Sequence, residues 1–205
     1  MGFSDHEYYL DSFNFDNLYS LKDKTSLSVK IGIEFDYKPG REGAIKDILD
    51  RYPLEYCIGS VHHIDDWNFD NPKYREKFAE YKGEEELKEL YREYFTLVKR
   101  AVDSCLFDII GHLDLIKIFG HIIEDRSFVL DLVEPVLKSL KSTGTALEIN
   151  TNGLNKPVKE IYPAVDIIKL AIYKDVDLVL GSDAHIPKRV GENFEEIDHL
   201  LEIIE

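Results

Sequence analysis

Short apolar runs rich in Ile, Val and Leu recur along the chain at 29–35, 54–61, 107–113, 145–150 and 177–182. They are too short for helices and lack strict alternation, the pattern of parallel strands covered on both faces. A further strand is predicted to end at His6. Helical sequence follows each run, most clearly at 40–52, 84–104, 127–142, 158–175 and 195–204. In the second of these, Leu87, Leu90, Tyr91, Tyr94, Leu97 and Val98 recur at three- and four-residue steps while Glu and Lys fill the other face. That spacing describes an amphipathic helix lying on a sheet.

The polar residues are placed as informatively as the apolar ones. His6, His62, His63, His112 and His185 all stand where an apolar run ends, as do Glu34 and Glu148. Imidazoles and carboxylates delivered from several strand ends to one face of an α/β scaffold describe a metal site with more than one ion. A site drawing on nearly every strand favours a closed (β/α) barrel, since an open doubly wound sheet concentrates its site at one switch point. No Gly-x-Gly-x-x-Gly or phosphate-cradling loop points to a nucleotide fold. No internal repeat or linker divides the 205 residues, so one domain is expected.

Individual motifs differ in weight. In Ser182-Asp183-Ala184-His185, a carboxylate and an imidazole two residues apart at a strand exit can serve neighbouring metals. Glu34, ending Lys30-Ile-Gly-Ile, can bridge two cations. Adjacent strand residues point to opposite faces, so of His62 and His63 one reaches the barrel mouth. His62 is taken as the ligand; His63 is left to orient substrate or to serve structure. His112 is a further ligand candidate, and Asp114 either fixes its tautomer or caps the next turn. Lys117 and Arg189, each shortly after such a strand end, are the candidate phosphate-binding cations, with a plain surface role as the alternative. His121 and His199 read as packing or surface residues.

Charge narrows the substrate. A formal net charge of −15 and a pI near 4.9 set up a field that repels nucleic acid, and no basic track offsets it. A small phosphorylated substrate fits better, with divalent metals reversing the sign locally. Cys57 and Cys105 are too few for a disulfide framework and read as reduced thiols. With no membrane span or leader pattern, a cytoplasmic location is expected.

Taken in order, Gly-Phe-Ser-Asp-His6, Gly-Ile-Glu34, Gly-Ser-Val-His62, Gly-His112-Leu-Asp114, Glu148-Ile-Asn150 and Gly-Ser-Asp183-Ala-His185 resemble the polymerase and histidinol phosphatase family across nearly the whole chain. Ser-Val-His62-His63-Ile-Asp65, the helix at 84–104 and Gly-His-Leu-Asp-Leu-Ile look most like its members that hydrolyse histidinol phosphate in histidine biosynthesis. The resemblance implies a distorted (β/α)7 TIM-like barrel holding up to three Zn, Mn or Fe ions. It also implies metal-assisted hydrolysis of a phosphomonoester, with Asp183, His185 and His63 in catalytic positions.

The family opens with a strand carrying His-x-His, whereas this sequence begins at Met1-Gly2-Phe3. A first βα unit, on the order of 40 residues, is therefore expected to be missing from the pattern. Carried over residue by residue, the resemblance gives Glu34, His62 and His112 as the full ligand set of one metal, with Glu34 bridging to a second. Asp183 serves that second metal, and His6 and His185 a third, each of these two lacking a partner. Two readings follow: an enzyme whose sequence starts further upstream, or a short metal-binding relative with weak or absent turnover. Uncovered strand edges at Phe3, Val179 and Leu180 would favour a homo-oligomer.

Overall fold

The structure, a computed structural model, describes residues 1–197. In chain order its strands are β1 (Gly2–His6), β2 (Lys30–Asp36), β3 (Tyr56–Ser60), β4 (His63–Ile64), β5 (Trp67–Asn68), β6 (Ile109–Ile110), β7 (Ala146–Asn150) and β8 (Leu178–Gly181). The helices are α1 (Phe15–Lys22), α2 (Glu42–Arg51), α3 (Glu84–Asp103), α4 (Arg126–Thr143) and α5 (Val165–Tyr173). β1, β2, β3, β6, β7 and β8 form one parallel sheet in that order, and β4 and β5 make a small antiparallel hairpin beside it.

The sheet curls strongly. Laid flat, its two edge strands would stand roughly 24 Å apart at the usual strand spacing. Yet the imidazoles of His6, at the end of β1, and His185, just beyond β8, have centroids 6.0 Å apart. The α/β barrel-like curvature predicted from the scatter of site residues over many strands is therefore present in a six-stranded parallel sheet.

Helices pack on the outer face, as the apolar periodicity required. α3 buries Leu90, Tyr91, Tyr94, Phe95, Val98, Ala101 and Val102 against the sheet and α4. Its first turn holds Glu84, Glu85 and Glu86, which complement the positive end of the helix dipole. α4 begins at an Asp125 cap that accepts the Phe128 N–H at 3.2 Å and stops at Gly144, whose φ of 72° suits the left-handed turn. Ile33, Phe35, Leu113, Ile116, Leu137 and Leu147 are fully enclosed between the layers.

Two expectations need correction. The predicted helix at 158–175 begins only at Val165, because Pro163 bars helical conformation at the preceding residue. Tyr162 instead pairs with Asn150, its N–H donating to the Asn150 carbonyl at 2.9 Å. The predicted strand at 107–113 shrinks to Ile109–Ile110, since His112 takes a φ of +22° and leaves the ladder. α1 and the β4–β5 hairpin were not foreseen; each hairpin strand is too short to show a period. Most of the helix predicted at 195–204, with His199, lies outside the described residues. His121 packs as expected, stacked on Phe78 at 4.4 Å.

Candidate metal centre

β2, β3 and β6 lie side by side, and their C-terminal ends deliver Glu34, His62 and His112 to one point. His112 Nε2 lies 3.2 Å and His62 Nε2 3.6 Å from the same Glu34 Oε1, while His6 Nδ1 approaches Oε2 at 3.4 Å. Ligand-type atoms of Glu34, His62 and His112 all fall within 4.8 Å of one another, the one such group of three among the described residues. The two imidazoles are buried and Glu34 is mostly so.

Backbone geometry helps to aim these groups. His112 sits at a φ of +22°, uncommon for a bulky residue, and its N–H donates to Glu148 Oε2 at 2.9 Å. Glu148 in turn accepts from Asn150 Nδ2 at 3.1 Å. A methyl group on Gly181 would overlap the Glu148 carboxylate, so the glycine leaves that side chain room to keep this position. Glu148, a strand-end carboxylate like Glu34, thus serves the backbone that turns His112 inward.

The electrostatics suit a cation. Burial alone would raise the Glu34 pKa, but the His112 hydrogen bond and the charges of His62, His112 and His6 hold it far below the carboxylate range. Burial likewise opposes charge on His62, yet the Asp36 hydrogen bond and the Glu34 charge push it up to about 9. His112 moves in the same direction despite burial, through its bond to Glu34. The buried carboxylate thus favours positive charge beside it, an electrostatic setting that also suits a divalent ion. Burial raises Glu148, with Asp183 adding to it.

The other sequence-predicted site residues fall in different places. Asp183 lies just beyond β8 at a φ of +45°, its Oδ2 accepting from Asn152 Nδ2 at 2.8 Å. His185 is mostly exposed, its Nδ1 3.0 Å from the Asp183 carbonyl. The His185 ring lies 6.0 Å from that of His6, and neither His185 nor Asp183 belongs to the three-residue cluster. Arg189 donates to Asn152 Oδ1 at 2.8 Å and to Glu192 at 2.7 Å, which places it one residue from Asp183 through Asn152. His63 turns away from Glu34: its Nδ1 is 2.9 Å from Asp36 Oδ2 and its Nε2 3.2 Å from Asn68 Nδ2.

Two assignments change. Lys117 is buried, and its ammonium meets Asp114 at 2.9 Å, Glu160 at 3.0 Å and the Ile161 carbonyl at 3.0 Å. Its three protons are committed inside the protein, which leaves none for a phosphate. Asp114 faces Lys117 and the Ala164 N–H rather than His112, whose Nδ1 has no partner; the tautomer role therefore fails. Sequence reasoning missed Asp36, whose Oδ1 lies 2.9 Å from His62 Nδ1. Its signal was available: it is two residues beyond Glu34 on the same strand and so on the same side.

A family profile described as PHP domain matches residues 1–152. The chain belongs to the PHP domain family. Among curated proteins this PHP chain is 45% identical over 168 residues to the "Probable histidinol-phosphatase" of Deinococcus radiodurans, covering 82% of itself and 62% of that protein. It is 28% identical over 173 residues to the histidinol-phosphatase of Lactococcus lactis, covering 81% of itself and 61% of that enzyme. The chain thus spans about three fifths of the curated relatives it matches. A crystal structure of the Lactococcus lactis histidinol phosphate phosphatase, complexed with Zn, L-histidinol and phosphate, superposes with a TM-score of 0.81 at 24% identity. That match covers 99% of this chain and 81% of the other and shows the shared fold.

Proposed function

We propose that this chain carries the metal-dependent site of a phosphomonoester hydrolase acting on histidinol phosphate. The observation that carries the reading is the convergence of Glu34, His62 and His112 from three neighbouring strands. Its donor set, two imidazole nitrogens and one carboxylate, fits a catalytic Zn centre with an open position and equally accepts Mn or Fe. The PHP domain match and the named relatives support the substrate class.

When bound, such cations lower the pKa of coordinated water towards ~7 and polarise the phosphoryl group. This chain's residues hold and aim the parts. Glu34 presents one oxygen to His62 and His112 and the other towards His6, the disposition of a bridging carboxylate. His6, Asp183 and His185 are the proposed ligands of the further ions, drawn from the two sheet edges that meet at the mouth. Arg189, partly exposed and tied to Asp183 through Asn152, is the proposed contact for a phosphate oxygen. His63, with both ring nitrogens facing Asp36 and Asn68, is assigned a supporting place rather than proton transfer.

The same reading takes the chain as one catalytic domain in the cytoplasm, where the free Cys57 and Cys105 stay reduced. Among the described residues, no helix is long and apolar enough to cross a membrane. Self-association through the uncovered β1 and β8 edges, where Phe3 and Leu180 are exposed, is part of this proposal.

The test is phosphate release from histidinol phosphate with added Zn or Mn, for the wild type and His62→Ala. Slow release by the wild type, abolished by a chelator, restored by metal and lost in His62→Ala, is the expected result. Release that persists in the presence of chelator, or that His62→Ala retains in full, would contradict the reading.

A further inference from the structure

We infer that Asp36 is a positioning residue for the metal centre: it holds the His62 ring so that Nε2 points to Glu34. This rests on the reading that Glu34, His62 and His112 take a metal. Asp36 ends β2 two residues after Glu34, so both carboxylates stand on the inner side of the sheet. Its Oδ1 lies 2.9 Å from His62 Nδ1 while His62 Nε2 lies 3.6 Å from Glu34 Oε1. Once Nδ1–H donates to Asp36, the lone pair left for a cation is on Nε2, turned to the cluster.

Asp36 is itself braced from both sides of its backbone. Its N–H donates to Glu7 Oε1 at 3.2 Å, and its carbonyl accepts from Arg41 Nη1 at 3.0 Å. Arg41 grips Glu7 through both terminal nitrogens, at 2.6 and 2.9 Å, a two-pronged pair that fixes direction as well as distance. The second carboxylate oxygen of Asp36 stands 2.9 Å from His63 Nδ1, although not aligned for a hydrogen bond. The consecutive imidazoles therefore straddle one carboxylate, and only the His62 contact is formed as a hydrogen bond. The order of support runs from Arg41 and Glu7, through Asp36, to His62.

A residue acting through His62 differs from one that merely stabilises the fold, because its effect vanishes when His62 is absent. Zinc affinity measured by competition with a chromophoric chelator supplies the test, with circular dichroism recorded for each variant. Asp36→Ala should weaken zinc binding by ~10–100-fold, the usual cost of losing such a partner, and Asp36→Asn by less because its amide oxygen still accepts. In a His62→Ala background, Asp36→Ala should have little further effect. In the zinc-loaded wild type, nitrogen-15 spectra should show His62 protonated on Nδ1, with that signal shifted in Asp36→Asn.

Unchanged affinity in Asp36→Ala, or an equal loss with and without His62, would overturn the inference while leaving the metal reading intact. If Asp36→Ala fails to fold, Asp36→Asn, with nearly the same volume, decides by its affinity and its His62 signal. A folded wild type that takes up no zinc would overturn the metal reading and the inference together.

Discussion

The mouth of the curled sheet has two sides of unlike build. On one side, His62 and His112 come from the interior strands β3 and β6, with side chains only 10% and 6% exposed. On the other, His185 follows the edge strand β8 with its side chain 62% exposed, and Asp183 is 27% exposed. The interior side is enclosed by neighbouring strands, and its ligand-type atoms lie within 4.8 Å of one another. The edge side is held by short loops and a chain of polar contacts from Glu192 through Arg189 and Asn152 to Asp183. Strand position thus decides how far a site can be preorganised by folding alone: central strands fix side chains on both flanks, whereas an edge fixes one.

The sharpest way to break this comparison is through stability. Ile33 is fully buried on β2 next to Glu34, so Ile33→Ala should cost ~2–5 kcal/mol through lost transfer energy and a cavity. Leu180 on β8 is 44% exposed, and Leu180→Ala should stay within ~0.5 kcal/mol. Urea denaturation of the two variants would measure the contrast, and equal losses would show that the edge is as tightly integrated as the centre.

A smaller effect is expected from pH. In the metal-free protein the His62 pKa, pushed up to about 9, exceeds its unfolded value near 6.5. Its contribution to stability is therefore fully present below about 6.5 and is lost as pH rises through about 9. Because metal must displace that proton, zinc affinity should climb from pH 6 to 9 and then level off. Chelator competition across this range would check the sign; an affinity independent of pH would remove His62 from the ligand set.

The least effect concerns the opposite end of the sheet. Cys57 is buried on β3, and burial together with Asp108 raises its thiol to about 12, whereas Cys105 is exposed. At pH 8 a thiol reagent should modify Cys105 and spare Cys57 in the folded protein, as peptide mass mapping would report.

Much of this was legible in the sequence for definite reasons. Long periodic segments such as 84–104 announced α3 because one face had to be apolar over five turns. Apolar runs ending in Glu34, His62 and Glu148 revealed β2, β3 and β7, and the residue types at their ends marked the site. Segments whose conformation depends on tertiary partners were not legible. Tyr162 leaves the predicted helix to pair with Asn150, and the two-residue strands of the hairpin are too short to display a pattern. Lys117 looked like an available cation because two of its three partners, Glu160 and Ile161, lie more than forty positions away. Asp36 was overlooked among 40 acidic residues, although its place two residues after Glu34 on one strand was the available signal.

The central claim, that the interior side of the mouth is where a metal is held, is most directly tested by diffraction from zinc-soaked crystals at the zinc absorption edge. The account predicts an anomalous peak between Glu34, His62 and His112, present at the lowest zinc concentration that gives any peak. A first peak at Asp183 and His185, with none among Glu34, His62 and His112, would contradict it.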